Sequence, residues 1–369
     1  MTLKIPEFIA SIEPYEPGKP IEELEREYGI RDSVKLASNE NPLGPSPKAI
    51  DAISKAIGQL NRYPEGSGYY LTRKLSGKLG VRPENIVLGN GSDEVIGMLT
   101  RAFISPGDEA IMPFPSFLMY KIMVNASGGV AVTVPLTASL APDLSLINTK
   151  ITDKTRLIFL THPNNPTGAA VSPDDFSRFL EAVPPDVIIV VDEAYVEFVR
   201  ESNALNSIEF VKSGNTVVTL RTFSKAYGLA GLRIGYGVMP GDIADVLHRI
   251  RQPFNANSLA QVAALAALDD DAFLQETIEL VHAGIDFLYN EMDRMGLDYF
   301  PTQANFLLID MKKDAGEVFE RMLRKGVIVR SMRSYGYPEY IRVNAGLKGE
   351  NRRFVNALEE VMSDMERGK

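Results

Sequence analysis

Five consecutive β-branched residues, Val187-Ile188-Ile189-Val190-Val191, run directly into two carboxylates, Asp192-Glu193. A strand that is apolar at every position has no side to offer to water. It belongs in a sheet covered on both faces, which in practice means a mostly parallel sheet between layers of helix. Similar short apolar runs recur at 86–88, 110–112, 130–134, 157–160, 217–220 and 234–238, with helical candidates between many of them. The pattern predicts an α/β fold, a three-layer α/β/α domain with about seven strands. The last two runs are separated by only a loop and a short turn, which allows one antiparallel strand there.

After residue 238 the texture changes. Helices are predicted at 243–251, 259–268 and 272–295, the second with alanines that permit close packing. Strands at 306–310, 327–330 and 340–343 then alternate with helices at 316–325 and 350–365, which reads as a smaller α+β domain. At the other end, Pro6, Pro14, Pro17 and Pro20 precede a short charged helix at 21–28. Ile5, Phe8, Ile9, Ile12 and Tyr15 are too apolar for a free tail, so this arm is expected to dock on the body or on a neighbouring subunit. The expected division is an arm at 1–30, a large domain at 31–255 and a small C-terminal domain at 256–369.

Composition excludes several chemistries. The chain has no cysteine, which rules out disulfides, thiolate metal sites and a cysteine nucleophile. Its three histidines are widely spaced, so no metal site is expected. A net charge of −9 with no long basic run argues against nucleic acid and against anionic membranes as partners. No apolar run approaches membrane-spanning length and residues 1–10 lack the pattern of a signal peptide, so a cytoplasmic location is expected.

Open α/β sheets bind ligands at the loops after their strands. Gly89-Asn90-Gly91-Ser92-Asp93 precedes a helix, where glycine backbone, helix N-terminus and hydroxyl suit an anion; an ordinary capped helix would look the same. Phe117, on a proline-bounded loop, can stack on a flat ring or fill the core. His162-Pro163-Asn164-Asn165-Pro166-Thr167-Gly168 offers asparagines for ligand bonding or merely turn chemistry. Asp192, ending a wholly apolar strand, needs a partner such as a protonated ring nitrogen or a helix terminus to cap, and Tyr195 follows three residues on. In Thr222-Phe223-Ser224-Lys225, the lysine is either a turn residue or an amine that forms a Schiff base, with Ser224 and Arg233 holding a phosphate beside it. Taken together, a phosphate cradle, a ring stacker, an oxygen donor, a pyridinium partner and a Schiff-base lysine are the requirements of pyridoxal 5'-phosphate. The nucleotide motifs G-x-G-x-x-G and G-x-x-x-x-G-K-[ST] are absent.

With residues 15–20, 39–42, Arg62-Tyr63-Pro64, 91–94, 164–168, 192–195, Ser224-Lys225, Arg233 and Arg342, the chain resembles the fold-type-I pyridoxal-phosphate aminotransferases over nearly its whole length. Within them it is most similar to the histidinol-phosphate aminotransferase family. The resemblance implies transamination between L-histidinol phosphate and 2-oxoglutarate, yielding imidazole acetol phosphate and glutamate, in histidine biosynthesis. It implies that Lys225 carries the cofactor, Asp192 pairs with the ring nitrogen, and Tyr195 and Asn165 bond the ring oxygen. Gly91, Ser92, Asp93, Thr222, Ser224 and Arg233 surround the phosphate, and Phe117 stacks where the family more often has tyrosine. The resemblance further implies that Tyr63 reaches the cofactor phosphate of the neighbouring subunit, so that the expected partner is a second copy of the chain in a homodimer. Tyr15, Asn39, Arg330 and Arg342 are the expected substrate contacts. Aromatic amino-acid aminotransferases and phosphothreonine decarboxylases share much of this pattern. A non-catalytic binding protein on the same fold is a further reading, opposed by the intact Lys225, Asp192 and Arg233. His162 takes no role in any of these.

Overall fold

The computed structural model describes residues 3–367. Its strands are β1 (Val34–Lys35), β2 (Ile86–Gly89), β3 (Glu109–Phe114), β4 (Val130–Pro135), β5 (Thr155–Thr161), β6 (Ile188–Asp192), β7 (Val217–Thr222), β8 (Gly235–Val238), β9 (Asp298–Phe300), β10 (Phe306–Asp310), β11 (Val327–Ile328), β12 (Arg330–Ser331) and β13 (Tyr340–Asn344). Strands β2 to β8 form one seven-stranded sheet in the order β2-β8-β7-β6-β5-β3-β4. Neighbours from β4 through β7 pair in parallel, while β8 runs antiparallel to both β7 and β2. The antiparallel strand falls where the short connection after β7 left no room for a crossover helix.

The continuous apolar runs have the expected cause. In β6, Ile189 and Val191 enter the core on one face of the sheet, and Ile188 and Val190 enter the core on the other. In β5, Ile158 and Leu160 alternate in the same way with Leu157 and Phe159. One face is covered by elements that include Ala49, Leu71 and Phe176, the other by helices Ser92–Phe103 and Gly241–Ile250.

The smaller sheet, β12-β13-β10-β9, is antiparallel throughout and packs against helices Asp271–Met295, Ala315–Arg324 and Lys348–Glu366. The single strand expected at 327–330 is instead two. Strand β11 pairs in parallel with β1, and after Val329 the chain changes sheet so that β12 pairs with β13. Helix Ser258–Ala267 packs its alanines Ala260, Ala263 and Ala264 into the large-sheet core beside Ala49 and Leu71, although a boundary near 255 would assign it to the smaller unit. We propose that the boundary lies after residue 270, at the start of the long helix, and that β1 belongs with the smaller unit. In the arm, Leu24 is buried in a cluster with Ala37, Leu323 and Ile328, which docks helix Ile21–Tyr28 on the smaller unit. No helix among the described residues is long and apolar enough to cross a membrane.

Candidate active site

The parallel strands β3, β5, β6 and β7 point their C-terminal ends at one cleft of about 260 Å³. Strand β6 delivers Asp192 there, only 4% exposed. Its Oδ2 accepts a hydrogen bond from the Tyr120 hydroxyl at 2.8 Å. Its Oδ1 is buried and has no hydrogen-bond partner among the described residues. Burial pushes the carboxyl up to about 7, against a smaller downward pull from the Tyr120 hydrogen bond. Tyr120 is itself locked. Its ring stacks on Phe159 at 4.7 Å, lies edge-on to Phe117 at 5.5 Å, and its hydroxyl is 2.9 Å from Thr161 Oγ1.

Strand β7 ends at Thr222, whose Oγ1 accepts from the Ser224 amide at 3.1 Å and fixes the turn that leads to Lys225. Lys225 Nζ donates to the Ser38 carbonyl at 3.1 Å and lies 5.7 Å from the centre of the Tyr195 ring. Burial, and after it the Arg342 guanidinium, lower its pKa to about 8. A share of the amine is therefore neutral near neutral pH, as a nucleophile or base requires.

The anion cradle is assembled at one end of the β2–β8 pair, where β2 ends and β8 begins. Gly91 sits at φ +79° just before helix Ser92–Phe103, and a Cβ built there would lie 2.6 Å from Arg233 Nη2. Gly235 opens β8, and a Cβ there would lie 2.5 Å from the Ser92 amide nitrogen. These glycines let the Arg233 guanidinium approach the positive end of the helix. Arg233 Nη2 donates to Asp93 at 3.3 Å and Nη1 to Ser224 Oγ at 3.5 Å. Asp93 thus lies on the arginine, its carboxyl raised by burial despite the opposing charge of Arg233.

Further along the cleft, the Tyr195 hydroxyl accepts from Asn39 Nδ2 at 2.9 Å and Asn165 Nδ2 at 3.3 Å. Burial pushes its pKa up, so it stays a neutral phenol. Arg342 donates through Nη1 to Asn165 Oδ1 and through Nη2 to the Ala37 carbonyl, leaving Nε buried without a partner among the described residues. Arg330 donates to the Glu16 carbonyl at 2.7 Å and lies 5.7 Å from the Tyr15 ring centre, which holds the arm over the cleft.

Every expected site residue except Gly91 and Tyr63 lines this cleft, and Gly91 lies behind Arg233. Tyr63 does not reach it: the side chain is 82% exposed and stacks on Phe254 at 4.7 Å. Asn164 turns into its own loop, donating to Thr167, while only Asn165 faces the cleft. His162 is buried; its Nδ1 accepts from the Val171 amide and its own amide donates to the Asp192 carbonyl, so it braces the loop. Glu193 finds its partner in Arg221, which meets Glu193 Oε2 through Nε at 2.9 Å and Nη2 at 2.7 Å and ties β6 to β7. Sequence reading missed Tyr120, Tyr335 and Ser38. Tyr120 had one usable signal, an aromatic three residues after Phe117 at a helix start. Ser38 acts through its carbonyl, which carries no residue-type signal. Tyr335 lines the cleft from the turn after β12, where no spacing points to it.

The cleft thus brings together a lysine and a buried carboxylate from adjacent strand ends and an arginine beside a helix N-terminus. The family described as aminotransferase class I and II matches residues 31–358, and the chain belongs to it. Among its relatives, a protein of Desulfotalea psychrophila named histidinol-phosphate aminotransferase is 49% identical over 99% of this chain and 97% of its own length. One of the same name from Moorella thermoacetica is 47% identical over 98% of this chain and 93% of its own. The crystal structure of histidinol-phosphate aminotransferase from Sinorhizobium meliloti, in complex with pyridoxal-5'-phosphate, matches with a TM-score of 0.91 at 29% identity, covering 99% of each chain.

Proposed function

We propose that this chain transfers the amino group of L-histidinol phosphate to 2-oxoglutarate, in histidine biosynthesis, with pyridoxal 5'-phosphate as cofactor. The observation that carries the reading is the unpartnered, buried Oδ1 of Asp192 in the same cleft as Lys225 and Arg233. A buried carboxylate oxygen without a partner is costly, and a protonated ring nitrogen removes that cost. The cradle of Arg233, Ser224 and the helix N-terminus suits a phosphate dianion. Phe117 offers a face for the ring, and Lys225 an amine for the aldehyde. The residues present therefore fit the cofactor.

When bound, the cofactor supplies an electron-accepting ring that stabilises negative charge at the substrate's α carbon. The chain supplies the rest. Asp192 would keep the ring nitrogen protonated, and Tyr120 fixes its carboxylate through Oδ2, leaving Oδ1 free to pair with that nitrogen. Lys225 Nζ takes the proton from the α carbon, and its lowered pKa readies it for that. Asn165 and Tyr195 orient the ring oxygen. Arg342 and Arg330 are the anion anchors, for the donor's phosphate and the acceptor's carboxylates in turn.

The homodimer is part of the same proposal. Tyr63, Phe254, Ile57, Leu60 and Tyr70 are all exposed in the single chain, an apolar surface that a second copy would cover. Tyr63 then serves the partner's cofactor phosphate. A cytoplasmic location goes with a charged phosphate-ester substrate, which does not cross membranes unaided.

The test is a panel of amino donors. Cofactor-loaded enzyme is mixed with histidinol phosphate, phenylalanine, tyrosine or phosphothreonine, and loss of the cofactor's visible absorbance is followed. Fastest loss is expected with histidinol phosphate. Fast loss with phenylalanine and none with histidinol phosphate would overturn the substrate assignment.

A further inference from the structure

The segment that follows β1 is gripped by side chains to a degree unusual for a loop. Three consecutive carbonyls each accept from a side chain: Ala37 from Arg342 at 2.9 Å, Ser38 from Lys225 at 3.1 Å, and Asn39 from Asn305 Nδ2 at 3.2 Å. On the other side of the same residue, the Asn39 amide donates to Asn344 Oδ1 at 3.1 Å. The Asn39 backbone sits at φ +55°, in the left-handed region that few side-chain-bearing residues occupy but asparagine tolerates, and these bonds fix it there. Asn39, Asn305 and Asn344 are all buried. The strand leading in is held as well, by the Leu36 amide on the Ile328 carbonyl at 2.8 Å and the Asn344 amide on the Leu36 carbonyl at 2.9 Å.

The conformation has a chemical consequence. It aims Asn39 Nδ2 at the Tyr195 hydroxyl and leaves Asn39 Oδ1 buried without a partner among the described residues, in a residue that lines the cleft. Asn305 stands just before β10 and Asn344 ends β13, both in the smaller unit, whereas Tyr195 and Lys225 belong to the larger.

We propose that Asn305 and Asn344 are positioning residues that clamp the Asn39 backbone in its left-handed conformation, so that its amide orients Tyr195 and its free oxygen is presented to substrate. The clamp couples the seating of the smaller unit to the substrate end of the cleft. The inference rests on the reading of Asn39 as a substrate contact.

Two measurements on the cofactor-loaded enzyme test it. Asn305→Ala and Asn344→Ala should each raise hydrogen exchange at the Asn39 amide about tenfold or more, with the seven-stranded sheet unaffected. Each should raise KM for histidinol phosphate about tenfold, the loss expected for one buried hydrogen bond, with little change in cofactor affinity. In the double-mutant cycle, Asn39→Ala/Asn305→Ala should be no worse than Asn39→Ala alone, since the clamp acts only through Asn39. Asn344→Asp keeps the acceptor for the Asn39 amide while losing the Nδ2 bond to the Ala345 carbonyl, and should keep more of the protection at Asn39 than Asn344→Ala. Unchanged exchange at Asn39, or additive losses in the cycle, would overturn the clamp. If the parent enzyme fails to turn over histidinol phosphate, the substrate assignment falls alone, because the exchange measurement uses no substrate and decides the clamp by itself.

Discussion

Asp192 is an acid placed where an acid is unwelcome. Its ordinary pKa of 3.8 rises to about 7 in the fold without cofactor, chiefly by burial. A raised folded-state pKa means stability that is full below about pH 4 and lost as pH climbs through 7. In cofactor-free protein, Asp192→Asn should therefore be more stable than the parent at pH 8, by on the order of 4 kcal/mol. The gain should vanish toward pH 4, and thermal unfolding across that range checks it. With cofactor bound the sign should reverse, because the asparagine cannot pair with a charged ring nitrogen. A parent more stable than the variant at every pH without cofactor would contradict the cost assigned to this carboxylate. At this scale the sequence was legible where function sits at the end of a strand. Lys225, Asp192 and Asn165 were marked by the apolar runs before them. Tyr120 and Ser38 were not, because each meets its catalytic neighbour across the fold, at sequence separations of 72 and 187.

Among the elements, the β2–β8 pair and the helix after it form the cradle, and their glycines set its size. Gly91→Ala adds a methyl 2.6 Å from Arg233 Nη2 at a backbone angle that alanine rarely adopts. The arginine must shift, since its far end is the movable partner. Cofactor affinity should fall about tenfold or more, while the backbone strain at φ +79°, ψ 167°, a region essentially reserved for glycine, costs on the order of 3 kcal/mol of stability. Equilibrium dialysis alongside thermal unfolding separates the two. An unchanged affinity would place the phosphate elsewhere. The seven strands of the large sheet were legible as short apolar runs, and all but the edge strand β4 are buried at most positions. Strands β1 and β9 were not legible, and β11 and β12 read as a single strand at 327–330, since two or three residues carry no readable period. Their placement comes from tertiary pairing, as when Val34 and Val327 meet across nearly the whole chain.

For the whole molecule, Tyr63 is the residue that a single chain leaves unexplained. It stacks on Phe254 at the surface, where Phe254 is itself held at φ +59°. In the proposed dimer each cofactor site takes Lys225 from one copy and Tyr63 from the other. Mixing Lys225→Ala with Tyr63→Ala protein, each impaired alone, should regain activity through hybrid dimers that contain one intact site. No recovery after verified subunit exchange would argue against the shared site. The smaller unit, the arm and the large sheet all converge on the cleft, and that convergence gives Lys225 its low pKa: burial comes first, then Arg342 from a distant strand. The central claim is that this lysine carries the cofactor. Its most direct test is borohydride reduction of the cofactor-loaded enzyme, followed by mass mapping of its peptides. The account predicts one pyridoxyl group per chain, on Lys225; the label on a different lysine, or none on a fully loaded enzyme, would contradict it.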